Sequence, residues 1–161
     1  IIQHELSAEQ RKIKAYEAFT LKAKPSCIQG KTILLCDDIK TTGTTLSKCA
    51  DVLYENGAKE VHMRSACPPI MYGCKFLNFS RTNSELDLIA RKVIAEREEK
   101  VTPEILADYA DSDSANYKAM EKQICKQMNF TTLSYNRLED MIKATGIEPC
   151  KLCTYCMNGK Q

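Results

Sequence analysis

The sequence predicts an α/β fold built on a parallel sheet, from three observations that lie next to one another. Residues 32–36, TILLC, form a short apolar run bounded by Gly30 and Asp37, the pattern of a buried parallel strand. In residues 46–56, Leu46, Cys49, Ala50 and Leu53 share one helical stripe, and Gly57 stops it. A second strand, VHMRSA at 61–66, ends at Pro68–Pro69. Strand, helix and strand in close succession make the right-handed crossover of a parallel sheet.

The remaining elements follow in chain order. Ser7 and Gln10 form a capping box for a helix over 7–20, with Ala15, Tyr16 and Phe19 on one side. Pro25 breaks that pattern. Ser84 opens a helix that would bury Leu86, Ile89, Ala90 and Val93. Residues 96–113 are rich in Glu and Asp, with Thr102 as N-cap and Pro103 at the first helical position, and read as a solvated surface stretch. Tyr117, Met120, Ile124 and Met128 space as an amphipathic helix, TTLSY at 131–135 as a strand, and Asn136 with Glu139 as the cap of a helix ended by Gly146. The chain divides into 1–94, a helical acidic insert at 95–130, and a strand–helix–cysteine segment at 131–161.

Composition excludes several classes. The 161 residues are 43% hydrophobic and 27% charged, ordinary for a globular chain, and long enough for one buried core. Lys and Arg number 23 against 21 Asp and Glu, so no basic field invites nucleic acid. No apolar run is long enough for a membrane span. The chain opens Ile-Ile-Gln-His without a signal peptide or a Met, and reads as a cut or processed piece. Nine cysteines without extracellular cues point to a reducing cytoplasm, with Cys150, Cys153 and Cys156 clustered as candidate metal ligands and Cys36 and Cys49 as small core residues.

The chemistry concentrates in ILLCDDIKTTGTTL, residues 33–46. A strand ends in Asp37 and Asp38, and a Thr/Gly loop then opens a helix. Backbone N–H groups of residues 41–45 at a helix N-terminus, a glycine allowing close approach and threonine hydroxyls make an anion cradle. No Gly-Lys-Ser/Thr closes it, so it is not a Walker loop. Carboxylates beside a phosphate suit sugar hydroxyls or a metal, as a ribose 5-phosphate ligand would require. Lys40 could meet a pyrophosphate or point to solvent. His62 reads as a matched histidine in an alternating strand, and His4 is uninformative.

This segment resembles the phosphoribosyl pyrophosphate (PRPP) loop of type I phosphoribosyltransferases. Residues 57–74, GAKEVHMRSACPPIMYGC, with 84–90, 131–147 and the CKLCTYCMNG motif at 150–159, resemble the glutamine amidophosphoribosyltransferases more narrowly. The likeness covers most of residues 30–160, with a gap near 95–125. It implies a partial type I phosphoribosyltransferase fold with a helical, cysteine-bearing C-terminal region. It also implies that Asp37 and Asp38 hold the ribose hydroxyls and act around Mg²⁺, and that Thr41, Thr42, Gly43, Thr44 and Thr45 wrap the 5-phosphate. The activity implied is conversion of PRPP and glutamine-derived ammonia to 5-phosphoribosylamine in purine synthesis.

The same resemblance implies a [4Fe–4S] cluster on Cys74, Cys153 and Cys156, with Cys150 a less certain neighbour. Cys150, Cys153 and Cys156 also fit part of an iron–sulfur thiolate spacing on their own account. Zinc is the alternative, since it too accepts four thiolates. Partners implied are PRPP, purine nucleotides and a glutaminase domain to which nothing in the sequence corresponds, in a homo-oligomer, so that this chain alone is an incomplete enzyme. A base-salvage phosphoribosyltransferase and a non-catalytic PRPP- or nucleotide-sensing module remain the alternative readings.

Overall fold

A computed structural model describes residues 24–38, 43–76 and 84–160. The helix expected over 7–20, His4 and Lys40 lie outside these residues. The ordered elements are β1 (Thr32–Asp37), α1 (Thr44–Glu55), β2 (Glu60–Ser65), α2 (Ile89–Arg97), α3 (Pro103–Ala110), α4 (Ala115–Gln127), β3 (Thr132–Tyr135), α5 (Leu138–Thr145) and α6 (Tyr155–Asn158). The strands form one parallel sheet in the order β1-β2-β3, with Ile33 beside Val61 and Met63 beside Leu133. It is the α/β parallel architecture that the crossover pattern predicts.

One face of the sheet carries the core. Val61 and Met63 of β2 and Leu133 and Tyr135 of β3 pack in one cluster with Ala50 and Leu53 of α1, Val93 and Ile94 of α2, and Met120 and Ile124 of α4. Local signals start the helices as the sequence suggests. Ser84 Oγ accepts from Leu86 N–H at the short 3₁₀ turn before α2, and Thr102 and Ser114 cap α3 and α4 in the same way. The opposite face carries polar side chains laced across the strands. Thr32 Oγ1 donates to Glu60 at 3.0 Å, and His62 contacts Thr132 Oγ1 at 2.8 Å and Glu60 at 3.4 Å. His62 is therefore a matched cross-strand residue.

Four expectations need correction. β1 is not buried on both sides: Ile33 and Leu35 pack on the core, but Leu34 is 61% exposed and Cys36 shares its open face. Three successive apolar residues look doubly buried, whereas among the described residues only the side of β1 bearing Ile33 and Leu35 packs on the core. Leu86 is 57% exposed because it lies in the 3₁₀ turn rather than on α2, so the buried stripe begins at Leu88. The acidic stretch 96–113 is not purely surface: Leu106 and Tyr109 are buried, and the Tyr109 hydroxyl accepts from Arg97 and donates to Glu98. Asn136 does not cap α5; its side chain accepts from Arg137 N–H and donates to the Ala66 carbonyl.

Candidate functional site

In a parallel sheet all strands deliver their C-terminal ends to one edge, where ligands of open α/β folds bind. Here that edge carries Asp37 and Asp38 after β1, Ser65 to Cys67 after β2, and Asn136 after β3. Hydrogen bonds lace the three ends together. Ala66 N–H donates to the Asp37 carbonyl at 2.8 Å, and Asn136 N–H to the Ser65 carbonyl at 3.0 Å. The buried Ser65 hydroxyl donates to the Cys67 carbonyl at 2.9 Å, with the Asp38 carbonyl at 3.3 Å as second acceptor.

The loop after β1 enters α1 through Gly43, buried and left-handed at φ 69°. A side chain there would strike the Met128 methyl, 1.6 Å from an ideal Cβ. The end of α4 thus abuts the residue that starts α1. Thr41 and Thr42 lie outside the described residues, and Thr44 and Thr45 enter as the first residues of α1. Asp37 is part-buried and Asp38 exposed. Their charges reach two thiols: burial raises Cys49 above its ordinary value and Asp37 adds to the rise, while burial followed by Asp38 does the same at Cys67.

The C-terminal segment docks on the turn that follows β2. Met71 N–H and Tyr72 N–H both donate to the Cys156 carbonyl, at 2.8 and 3.0 Å. The Tyr72 and Tyr155 rings lie 5.5 Å apart, and Lys75 Nζ sits 4.2 Å over Tyr155. Gly159 presses so close to the Tyr72 ring that a Cβ would fall within 2.8 Å of it. Arg91 reaches the Met71 carbonyl from α2 and pairs with Glu85.

This docking brings Cys74, Cys153 and Cys156 into one neighbourhood. Burial raises the Cys156 thiol, and the nearby sulfurs of Cys74, Cys153 and Cys67 raise it further. Phe76 N–H points at Cys74 Sγ at 3.5 Å. Cys150 lies exposed in a 3₁₀ turn, Pro149–Lys151. None of the described cysteines is disulfide-bonded, and among the described residues no three His, Cys, Asp or Glu side chains are arranged to hold one metal ion. Cys67 is a further thiol, close enough to act on Cys156, that the sequence does not single out. Its signal is faint in sequence, since it stands between a strand and two prolines where a core thiol would also fit. No helix among the described residues is long and apolar enough to cross a membrane.

Comparison with known proteins adds the following. Residues 3–68 match the phosphoribosyl transferase domain family. That match reaches into the segment before Gly30, where the sequence reading found no likeness. The chain is 34% identical over 142 residues to amidophosphoribosyltransferase of Homo sapiens, covering 82% of this chain and 25% of that protein. It is 28% identical over 144 residues to amidophosphoribosyltransferase of Methanothermobacter thermautotrophicus, covering 88% and 24%. In fold it superposes on glutamine PRPP amidotransferase from B. subtilis, solved with ADP and GMP, with a TM-score of 0.61 at 25% identity, over 97% of this chain and 29% of that one. The chain therefore spans about a quarter of the length of these curated relatives.

Proposed function

From its similarity in sequence and in fold to the amidophosphoribosyltransferases, we propose that the chain forms the PRPP-binding and cysteine-bearing part of a cytoplasmic enzyme of that activity. The reaction is displacement of pyrophosphate from C1 of PRPP by ammonia drawn from glutamine, giving 5-phosphoribosylamine for purine synthesis. The glutaminase, the purine nucleotides that bind it and a homo-oligomeric assembly belong to this proposal. The single observation that carries it is the pair Asp37–Asp38 at a parallel strand end, followed by a left-handed Gly43 that opens α1.

Catalysis on such a site is chiefly positioning. The Asp37 and Asp38 carboxylates accept hydrogen bonds from the ribose 2- and 3-hydroxyls. The N–H groups of residues 41–45, with the threonine hydroxyls, enclose the 5-phosphate at the start of α1. Gripped at both ends, the sugar keeps C1 turned toward the incoming ammonia. Paired carboxylates at this edge also suit a hard cation, and positive charge for the departing pyrophosphate would be supplied there by Mg²⁺.

Cys74, Cys153 and Cys156 would hold a [4Fe–4S] cluster. A cluster spreads its thiolates over several irons, whereas zinc draws four onto one ion. The close spacing of Cys153 and Cys156, with Cys74 on the turn on which their segment docks, supports the cluster reading. Its contribution is structural: binding energy at a site absent from the unfolded chain ties the tail to the turn after β2.

The test is titration calorimetry of PRPP with the full-length polypeptide at fixed Mg²⁺. Asp37→Asn with Asp38→Asn removes two charge-assisted acceptors and should weaken binding by about tenfold or more. Circular dichroism should be unchanged. Equal affinity in the two proteins rejects the substrate loop. Phosphoribosylamine formation that does not depend on glutamine or ammonia rejects the reaction.

A further inference from the structure

We propose that Ser65 is a positioning residue of the ribose grip, an inference that rests on the substrate-loop reading above. Its hydroxyl holds the backbone at Asp38 and so sets the direction of the Asp38 carboxylate. The residue departs from the pattern of its strand. β2 turns Val61, Met63 and Ser65 to the core, and the first two are apolar. Among the described residues the other buried side chains are apolar or aromatic, yet Ser65 is only 5% exposed. A hydroxyl at a position where the alternation calls for one more apolar side chain must be bonded, and such local departures gather at functional sites.

The hydroxyl carries one proton and has two carbonyls within reach, that of Cys67 at 2.9 Å and that of Asp38 at 3.3 Å. The first contact serves the turn in which Ser65 itself lies. The second reaches the loop after β1, 27 residues away in sequence. In register Ser65 stands between Asp37 of β1 and Tyr135 of β3, at the middle of the binding edge. Its backbone is fastened from both sides. Asn136 donates its N–H to the Ser65 carbonyl and its Nδ2 to the Ala66 carbonyl, while Ala66 N–H donates to the Asp37 carbonyl. Residues 65 and 66 thus tie the backbones of both carboxylates to the end of β3. Asp38 is exposed, so a bond to its carbonyl does more to aim it than packing does. The ribose hydroxyls are gripped alike before and during the displacement, and a mis-aimed carboxylate therefore costs affinity rather than turnover.

The experiment compares Ser65→Thr with Ser65→Val in the full-length polypeptide, two side chains of one shape that differ in the hydroxyl. Ser65→Ala decides the case if the added methyl of that pair prevents folding. With ammonia as nitrogen donor, Ser65→Val and Ser65→Ala should raise the KM for PRPP about three- to tenfold with kcat within about twofold of wild type, and Ser65→Thr should regain most of the loss. Ribose 5-phosphate, which carries the hydroxyls, should lose inhibitory strength in the Val and Ala variants by the same factor. Inorganic pyrophosphate, which lacks them, should inhibit every variant alike. A wild-type KM in the variants without the hydroxyl overturns the proposal, as does Ser65→Thr as impaired as Ser65→Val, which makes the effect one of packing. Equal weakening toward ribose 5-phosphate and pyrophosphate overturns it too, because a general loosening of the edge would produce that. The Asp37→Asn, Asp38→Asn protein measured beside them separates the two readings. Weakened PRPP binding there leaves the substrate loop standing when the Ser65 result fails, and unchanged binding overturns the loop and this inference together.

Discussion

Gly43 meets two constraints of different kinds. Its backbone is left-handed, which costs a residue with a side chain about 1–2 kcal/mol, and its α-carbon faces the buried Met128 methyl. Gly43→Ala should therefore lower the thermal unfolding midpoint by about 2–8 °C. Met128 is flexible, so Met128→Ala in the same chain should relieve the steric part and leave the backbone part. A double-mutant cycle read by calorimetry should then show favourable coupling, and strict additivity would show that the methyl simply swings aside. The glycine was legible in the sequence as a residue of a phosphate-type loop. Its neighbour was not. Met128 reads as the last member of an amphipathic stripe, and only the packing of α4 brings it to the start of α1.

α3 and α4 show how composition conceals an element. The acidic residues of 96–113 suggest a solvated surface, yet Leu106 and Tyr109, three apart, suffice to anchor α3 in the core. Tyr109 is fully buried because Arg97 and Glu98 satisfy its hydroxyl, so the charges that signalled a surface also permit the burial. The turn before α4 is joined to the start of α5 by Arg137, which bonds both carboxylate oxygens of Asp113 and holds that carboxyl below its usual range. A depressed carboxyl contributes stability above the ordinary Asp range and loses it as pH falls through the folded value. The pair is exposed, so its share is small. Asp113→Asn should lower the urea midpoint slightly at neutral pH and converge on the wild-type value as pH falls below the ordinary Asp range of about 4. A parallel profile, shifted equally at every pH, would deny the pair its role. The crossover β1–α1–β2 and the caps Ser84, Thr102 and Ser114 were legible because each is set by neighbouring residues. The Asn136 cap was misread because its side chain has a distant alternative partner, the Ala66 carbonyl.

Across the whole molecule, the sheet has one face packed on helices and one bearing Thr32, Leu34, Cys36, His62 and Thr132. Among the described residues β1 pairs with β2 alone and carries an exposed leucine on its outer face. Such strands recruit other chains unless charged. Made alone, the 161-residue chain should self-associate, and Leu34→Lys should shift its sedimentation toward monomer; an unchanged distribution would place the contact elsewhere. The thiol group belongs to this scale as well, because its members lie far apart in sequence and only the docking of the tail assembles them. The grip of Met71 and Tyr72 on Cys156 also has a consequence in time. The partner carbonyl is translated roughly 85 residues after those amides, about 4–17 s later at ribosomal speeds of ~5–20 residues per second. Throughout that interval the turn after β2 can be satisfied only by water, and the cysteines it carries stand open to whatever oxidant or metal donor the nascent chain meets. Protection of this corner of the molecule thus waits on a segment made well after the turn that it covers.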